Sequence, residues 1–246
     1  MNEKNVAVII PCYQQVHHLK RCLASVIPQL GEGDELFLCI DSADETLGDP
    51  EDRQKVNRLL ETARELSPAK VKLVESPYRM GVSLMRDLGA REAKAPWLKF
   101  LDADDFLAPL ALNFFRAVKL QEATRVFYGQ QVMVRDNVPM EVRLSDMTVI
   151  ERRNPLLVCP TFIRRDAFEE VGRFDGEIEF EEDWDLWLRV WQTWGLGVVQ
   201  SFPVPIGYYC IHKEEREQKE KERCRTTRGM DVRQWFAMKY KIQPLR

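Results

Sequence analysis

The acidic segment WLKFLDADDF (97–106) places three aspartates at the end of a short apolar strand pattern. Alternate side chains of an extended segment share a face, so we expect Asp102 and Asp104 to point at one spot and Asp105 elsewhere. Two carboxylates arranged in this way suit a divalent cation whose remaining positions are taken by phosphate oxygens and water. This interpretation predicts an enzyme that handles a nucleotide diphosphate. The alternative is a surface turn, in which aspartate is common.

A second acidic cluster lies in EIEFEEDWD (177–185). Crowded carboxylates raise one another's pKa, which helps one of them to act as a base near neutral pH. A helix pattern at 181–195 begins inside this cluster, so the acids alternatively serve only to stabilise the start of that helix. Asp185 is expected to pair with Arg189 one turn later.

Strand and helix patterns alternate over the first 105 residues. Continuous apolar runs predict strands at 6–12, 35–41, 71–76 and 97–102, and helical spacing predicts helices at 16–30, 51–66 and 82–94. Strands of this kind, separated by helices, indicate a parallel sheet covered on both faces. Ligands bind such sheets beyond the carboxyl ends of the strands. The candidate residues at these ends are Pro11, Tyr13, Asp41, Asp102 and Asp104.

The second half of the chain is less regular. Its patterns predict a helix at 110–120, a strand at 125–136, a strand and a short helix in 156–174, and one or two strands in 197–212. Residues 137–155 match no pattern and are expected to form a loop that is mobile or faces an acceptor. The charge run 213–223 is expected to be a solvated helix. With no repeat and no flexible linker, we expect one compact domain, 1–212, and a helical extension, 213–246.

Composition excludes several classes of protein. The 246 residues carry a net charge of −3, so nothing indicates a nucleic-acid partner. The six cysteines show no CxxC pair and no metal-ligand spacing, and Cys12 and Cys39 are expected to be buried thiols in a reducing compartment. No apolar stretch has the length of a secretory signal or of a membrane span of roughly 18 residues. We therefore expect a cytoplasmic protein, with contact to the inner membrane face left open.

Four segments of the chain resemble motifs of the family 2 glycosyltransferases, which have the glycosyltransferase-A fold. In chain order they are VAVIIPCYQQVHHLKRCLASV, LFLCIDSADET, RMGVSLMRDLGAREAKAPWLKFLDADDFLAP and FIRRDAFEEVGRFDGEIEFEEDWDLWLR. The resemblance extends from Val6 to His212. The chain departs from the family pattern at Gln14 and Asp87, where asparagine is usual, and its segment around Asp41 is shorter than usual.

The resemblance implies a single α/β domain of the glycosyltransferase-A type, with a mainly parallel central sheet flanked by helices. Residues 1–105 would form a Rossmann-like half that binds the nucleotide sugar, and residues 106–212 would form the acceptor half. The implied reaction moves a sugar from a nucleotide-diphosphate sugar, expected to be a UDP-sugar, to an acceptor hydroxyl with inversion. The acceptor would be a glycan, a lipid-linked molecule or another hydroxyl compound.

The resemblance also assigns roles to single residues. The ligands of a catalytic Mn²⁺ or Mg²⁺ would be Asp104, Asp102 and His212. The residues that bind the nucleotide would be Pro11, Tyr13, Asp41, Arg86 and Asp102. Asp183 would be the general base that deprotonates the acceptor, and Glu182 is the alternative base.

Other residues near these motifs receive structural interpretations. His17 and His18 are expected to be exposed at the start of a helix, and Asp105 is expected to orient its turn. The helical spacing of the tryptophans in 184–194 favours core packing for most of them.

The tail segment 229–242 has an amphipathic helical pattern, with Val232, Trp235, Phe236 and Met238 near one another. One interpretation is a helix that packs onto the domain or onto a second subunit, the latter giving a homodimer. The other is a helix on a membrane surface, which would bring the protein to a lipid-linked acceptor.

Two other classes of protein remain open. A metal-dependent nucleotidyltransferase would share the sheet and the paired acids. It usually needs a glycine-rich phosphate loop, and PCYQQVHH (11–18) contains no glycine. A non-catalytic module that binds nucleotides or sugars would explain the short segment around Asp41 and the presence of Cys210, where arginine is usual in the family.

Overall fold

The computed structural model describes residues 3–136, 138–143, 146–178, 180–212, 226–227 and 230–242. Within these segments, nine strands form one central sheet. They are β1 (Val6–Cys12), β2 (Glu35–Ile40), β3 (Lys70–Glu75), β4 (Trp97–Phe100), β5 (Phe106–Leu107), β6 (Val126–Arg135), β7 (Val138–Arg143), β8 (Thr161–Arg164) and β9 (Val199–Ile211). The helices are α1 (Val16–Val26), α2 (Ala43–Thr46), α3 (Pro50–Leu66), α4 (Val82–Glu92), α5 (Ala111–Ala117), α6 (Arg165–Glu170), α7 (Glu182–Trp194) and the C-terminal helix (Val232–Tyr240).

The strand order in the sheet is β3-β2-β1-β4-β8-β6-β9-β5, with β7 paired to β6 beside this row. The four strands β1 to β4 run parallel to one another. β8 is antiparallel to both β4 and β6, whereas β6 and β9 are parallel. The predicted α/β fold with a mainly parallel sheet is confirmed, and each antiparallel pairing in the sheet involves a strand from the second half of the chain.

Side chains of the central strands alternate between two core layers. Val6, Val8 and Ile10 of β1 pack into the layer that contains α1, α3 and α5. Ala7 and Ile9 pack into the layer that contains α4, α6, α7 and the C-terminal helix. Every residue of β1 and β2 is buried, because helices cover both faces of the sheet there. This explains why these strands have continuous apolar sequences.

Two predictions for the second half are corrected by the structure. The helix expected at 110–120 ends already at Ala117. Residues 137–155, which we expected to form a loop, include β7, whose six residues are all exposed, and a 3-10 turn at Met147–Val149. The segment 197–212 forms one long strand, β9, after a second 3-10 turn at Leu196–Val198.

The C-terminal helix packs onto α7. Phe236 is fully buried, and its ring stacks on Trp184 at a centroid distance of 4.6 Å. The Nζ atom of Lys239 donates to Asp185 at 2.7 Å, and Asp185 also forms the predicted ion pair with Arg189. Of the interpretations of the tail, packing onto the domain is confirmed. The charge run 213–223 lies outside the described residues.

The cysteines of the described segments, at positions 12, 22, 39, 159 and 210, are all buried. Burial raises the pKa of the Cys12 and Cys39 thiols to about 12. The prediction that these two residues are buried thiols is therefore confirmed. Across the described segments, we find no helix with the length and apolar character that crossing a membrane requires.

Candidate active site

The carboxyl ends of β1, β2 and β4 meet at a pocket of about 240 Å³. The parallel register aligns these ends, since Cys12 lies beside Ile40 and Ile9 lies beside Phe100. Five residues predicted from the sequence line this pocket together, namely Pro11, Tyr13, Asp41, Asp102 and Asp104. Six further lining residues were not predicted, namely Cys12, Gln15, Arg79, Val82, Met85 and Tyr209.

Some of these unpredicted residues had a signal in the sequence. Arg79 and Val82 follow the third strand, so the rule that ligands bind at strand ends could have included them. Tyr209 belongs to β9, which is far away in sequence and gives no local indication that it reaches the pocket.

Asp41 anchors the turn that leads into α4. Its carboxylate accepts hydrogen bonds from the backbone N–H groups of Met80 at 2.7 Å and Gly81 at 2.8 Å. Gly81 has a φ of +82°, a conformation that glycine adopts at little cost. Asp41 is almost fully buried, so these charge-assisted hydrogen bonds compensate for the loss of water around it.

Arg79 covers one face of Tyr13. Its guanidinium carbon lies 3.4 Å from the centre of the Tyr13 ring, and its Nε atom lies 3.3 Å from Asp41 Oδ2. The Tyr13 hydroxyl donates to Glu45 Oε2 at 2.9 Å, which fixes the ring from the other end. Tyr13, Arg79 and Asp41 thus form one wall of the pocket.

The three aspartates of the acidic turn have different environments, as the alternation predicted. Asp102 and Asp104 line the pocket. Asp105 points into the core, is 1% exposed, and accepts a hydrogen bond from Cys210 N at 2.9 Å. Burial, together with the charges of Asp104 and Asp102, raises the pKa of Asp105 well above its usual range. Asp105 therefore orients its turn and joins it to β9, as we expected.

The bond between Asp105 and Cys210 brings the end of β9 to the acidic turn. His212 follows that strand, and its Nε2 atom lies 3.6 Å from Asp104 Oδ2. Gln15 Nε2 donates to the same oxygen at 3.3 Å. His18 is half-buried and its ring lies 4.4 Å from that of His212, which corrects the expectation that His18 is simply exposed; His17 is exposed.

The donor groups beside Asp104 are of the chemical types that bind divalent cations. His212 Nε2 is shielded from solvent and has no hydrogen-bond partner in the described part of the chain. Two carboxylates and one imidazole nitrogen supply the oxygen and nitrogen ligands that Mn²⁺ accepts. Among the described residues, no three acidic, histidine or cysteine side chains are arranged so that together they could hold a metal ion. The described residues by themselves therefore do not form a complete metal site.

Arg86 lies beneath the pocket and is not among its lining residues. Its Nη2 atom donates to Asp102 Oδ1 and its Nη1 atom donates to Glu182 Oε1, both at 2.7 Å. The side chain is only 3% exposed. Arg86 was expected to contact the diphosphate or the nucleobase loop, whereas in this structure its terminal nitrogens bind two protein carboxylates.

Asp183 is half-buried at the start of α7, next to Glu182. Burial, and then the negative charges of Glu182 and Glu181, raise the pKa of Asp183 well above its usual range. A hydrogen bond from the Asn154 side chain opposes part of this effect. Glu182 is engaged by Arg86, so the two candidate bases differ clearly in their surroundings. Neither of them lines the pocket itself.

Comparison with known proteins gives a consistent result. Residues 7–172 match the profile of Glycosyl transferase family 2. The UDP-Glc:alpha-D-GlcNAc-diphosphoundecaprenol beta-1,3-glucosyltransferase WfgD of Escherichia coli is 24% identical over 198 residues, which cover 77% of this chain and 71% of that protein. An uncharacterized glycosyltransferase of Haemophilus influenzae is 28% identical over 109 residues, which cover 44% of this chain and 39% of that protein.

Solved structures share the fold. The S. aureus TarS 1-349 structure in complex with UDP-GlcNAc has a TM-score of 0.67 at 14% identity, with 85% of this chain and 59% of that chain covered. The mannosyltransferase PcManGT from Pyrobaculum calidifontis, in complex with GDP-Man and Mn²⁺, has a TM-score of 0.63 at 15% identity. In that case 89% of this chain and 60% of that chain are covered. The chain thus spans about three fifths of the length of these solved structures.

Proposed function

The chain belongs to glycosyl transferase family 2, and on this premise we propose that it transfers a sugar from a nucleotide-diphosphate sugar to an acceptor hydroxyl. The observation that carries the proposal is the pocket at the strand ends, where Tyr13, Asp41, Asp102 and Asp104 lie together. The pocket offers an aromatic ring for a nucleotide base. Its carboxylates suit a ribose and the cation that a diphosphate requires.

We propose a UDP-sugar as the donor. The E. coli relative uses UDP-Glc by its name, and TarS was solved with UDP-GlcNAc, whereas the Pyrobaculum mannosyltransferase was solved with GDP-Man. In our proposal Pro11 and Tyr13 contact the base. Asp41 shapes that end of the pocket by holding the backbone of Met80 and Gly81.

Asp104, Asp102 and His212 would hold Mn²⁺ or Mg²⁺. When bound there, the cation would act as a Lewis acid for the diphosphate that leaves. The orphaned Nε2 atom of His212, 3.6 Å from Asp104, supports this assignment. Gln15 would keep Asp104 oriented through the hydrogen bond at 3.3 Å.

Asp183 would be the general base. The acceptor oxygen would form a bond to the anomeric carbon while its proton moves to the Asp183 carboxylate. The bond from that carbon to the diphosphate oxygen would break, with its electron pair leaving on the diphosphate. A single displacement of this kind inverts the anomeric centre. Glu182 is less suited to the role because Arg86 already engages its carboxylate.

We propose a hydroxyl of a lipid-linked saccharide as the acceptor. The E. coli relative, of which the alignment covers 71%, acts by its name on a diphosphoundecaprenol-linked GlcNAc. Such an acceptor would bring the protein into contact with a membrane surface. Phe236 is buried against α7, so that residue would not take part in the contact.

Metal-dependent binding of UDP tests the donor site. UDP at about a hundred times its dissociation constant should raise the free energy of unfolding by roughly 2.7 kcal/mol, and by more when Mn²⁺ tightens binding. Asp104→Ala should abolish the increment that depends on the metal, whereas Glu61→Ala, on the exposed side of α3, should leave it unchanged. Equal affinity for UDP with and without metal in calorimetry would show that the role given to Asp104 is wrong.

Donor hydrolysis distinguishes the remaining classes of protein. Membership of the family supports glycosyl transfer over nucleotidyl transfer. A transferase should slowly release free sugar and UDP from its donor in the absence of acceptor. If UDP binds in the pocket but no UDP-sugar in a broad panel is cleaved, the chain is a non-catalytic binding module.

A further inference from the structure

Arg86 connects the two halves of the domain. It lies on α4, and the carboxylates that it binds come from the end of β4 and from the first residue of α7. Both hydrogen bonds are 2.7 Å long, and the partners are 16 and 96 residues away in sequence. Asp102 belongs to the proposed donor site, and Glu182 precedes the proposed base, Asp183. A planar guanidinium with its fork of donors can hold both carboxylates at once.

The surroundings of Arg86 leave it few other partners. Its guanidinium carbon lies 5.3 Å from the centre of the Phe174 ring. Its Nε atom is buried and finds no acceptor in the described segments. The positive charge is therefore shared between Asp102 and Glu182, and a change at one of these carboxylates is felt at the other.

We propose that Arg86 is a positioning residue that couples donor binding at Asp102 to the loss of a proton from Asp183. This inference rests on the proposed function. When the pocket is empty, the Asp102 carboxylate offsets part of the positive charge of Arg86. When a cation and a diphosphate neutralise Asp102, that field acts more fully on Glu182 and Asp183. The Asp183 proton then leaves to solvent, and the base is ionised once the donor is in place.

The groups that face Asp183 agree with this direction of coupling. Glu181, which precedes α7, and Glu182 on α7 disfavour the ionised form of Asp183, whereas Arg86 on α4 favours it. The Asn154 side chain also stabilises the ionised form, and the Tyr128 hydroxyl on β6 is close enough to interact with Asp183. Among these groups Arg86 is the cation, so it is the one through which the donor site can favour ionisation.

Proton release on donor binding tests the coupling without measuring turnover. The probe is UDP-glucose with Mn²⁺, whose phosphates stay ionised near pH 6.5 and so release no proton themselves. Calorimetry in two buffers of different ionisation enthalpy should show that the wild type releases more protons for each donor bound than Asp183→Asn does. Asp183→Asn should bind the probe with affinity within a few-fold of the wild type, and the protons that it still releases would come from other groups, such as a His212 that binds the metal.

Variants of the bridge then test the role of Arg86. Arg86→Lys keeps the charge but cannot hold both carboxylates, so the proton release in excess of that of Asp183→Asn should fall at least twofold, while affinity for the probe stays within about threefold. Glu182→Gln should also lower proton release, although Arg86 is unchanged. A fall in both variants could not then be attributed to a folding defect of Arg86→Lys alone. Arg116→Lys alters another partly buried arginine paired with an aspartate, Asp34, away from the pocket, and should leave proton release unchanged.

The acid limb of the pH profile of kcat should also move to higher pH in Arg86→Lys, because Asp183 would hold its proton more tightly. Wild-type protein that binds UDP-glucose and releases no more protons than Asp183→Asn does would overturn the coupling while leaving the proposed function intact. Unchanged release in both Arg86→Lys and Glu182→Gln would overturn it as well. Failure to bind any UDP-sugar with Mn²⁺ would instead overturn the proposed function, and this inference with it.

Discussion

At the scale of single residues, burial gives neighbouring groups different chemistry. Asp104 faces the pocket, whereas Asp105, the next residue, points into the core and holds the backbone of Cys210. Below them Lys99 is fully buried, and its Nζ atom donates to the carbonyls of Phe100 and Cys159. Burial lowers the pKa of Lys99 to about 8. The ammonium group of Lys99 thus lies buried in β4, beneath the acidic turn.

The sequence predicted some of these residues well and others not at all. Strand alternation acts over two residues, so it separated Asp102 and Asp104 from Asp105 correctly. The ion pair between Arg86 and Glu182 joins residues 96 positions apart, and no local pattern indicates such a contact. Lys99 was hidden in an apolar strand pattern, because a single lysine does not reveal whether it lies inside or outside.

The first prediction concerns the base. Asp183→Asn preserves the shape of the side chain and removes its ability to accept a proton. We expect kcat to fall about 10²-fold or more, while affinity for the donor stays within a few-fold. Steady-state kinetics with saturating donor would measure the first effect, and calorimetry the second. Near-normal turnover in this variant would move the base to Glu182, and normal turnover in both single variants would exclude a single-base mechanism.

The second prediction concerns Asp87, which is 5% exposed and lies where the family usually has asparagine. Burial raises its pKa from 3.8 to about 6, an effect only partly offset by the hydrogen bond from Phe174 N. Because the folded protein binds this proton more tightly than the unfolded chain, the free energy of unfolding falls as pH rises from about 4 to about 6 and stays lower above that range.

Asp87→Asn removes this cost of a buried charge. We expect it to raise the free energy of unfolding at pH 7.5 by on the order of 3 kcal/mol, since the pKa is shifted by about two units and one unit corresponds to roughly 1.4 kcal/mol. At pH 4 the gain should be small. Urea titrations at the two pH values would measure both quantities. An equal effect at pH 4 and pH 7.5 would show that ionisation of Asp87 is not the cause.

At the scale of helices and strands, regular alternation decided what the sequence could predict. The strands β1, β2 and β4 were recognisable because helices bury both faces and the sequence is therefore continuously apolar. In β7 every residue is exposed, so neither alternation nor a continuous apolar run marks it as a strand. The helix α5 ends at Ala117 although residues 118–120 continue an apolar pattern, and no glycine or proline marks that end.

The third prediction concerns the contact between the C-terminal helix and α7. Phe236 is fully buried against Trp184, so Phe236→Ala should lower the free energy of unfolding by about 3–5 kcal/mol. Met238 lies on the same helix but is 68% exposed, and Met238→Ala should change it by less than about 0.5 kcal/mol. Urea unfolding would compare the two variants. Similar effects of both substitutions would contradict the packing of this helix.

At the scale of the whole molecule, the two core layers connect different elements of the domain. The layer with α1, α3 and α5 supports the strands of the donor half. The other layer joins α4 to α6, α7 and the C-terminal helix, and so links the donor half to the proposed base. Gly89 lets α4 pack closely on β1 and β2, because a Cβ at that position would lie 2.6 Å from Ile9 and 2.9 Å from Cys39.

The fourth prediction follows from this division. A chain ending at residue 212 loses Phe236, Tyr240 and Ile242, which are all buried in the layer with α7. We expect it to be less stable than the full chain and to lose most of its turnover. It should still be stabilised by UDP and Mn²⁺, because the pocket is built from β1, β2, β4 and α4. Loss of the UDP effect alone, with turnover retained, would contradict this division of roles.

Labelling of the buried cysteines can show when each half of the folded chain opens. Alkylating reagents attack the thiolate, and the Cys12 and Cys39 thiols, with pKa values of about 12, are almost entirely protonated at neutral pH as well as enclosed. Their labelling by iodoacetamide therefore requires β1 and β2 to open. Cys210 lies in β9, so its labelling follows the second half of the sheet. After Cys224→Ser removes the thiol outside the described residues, mass spectrometry of labelled peptides would time the opening of each half separately.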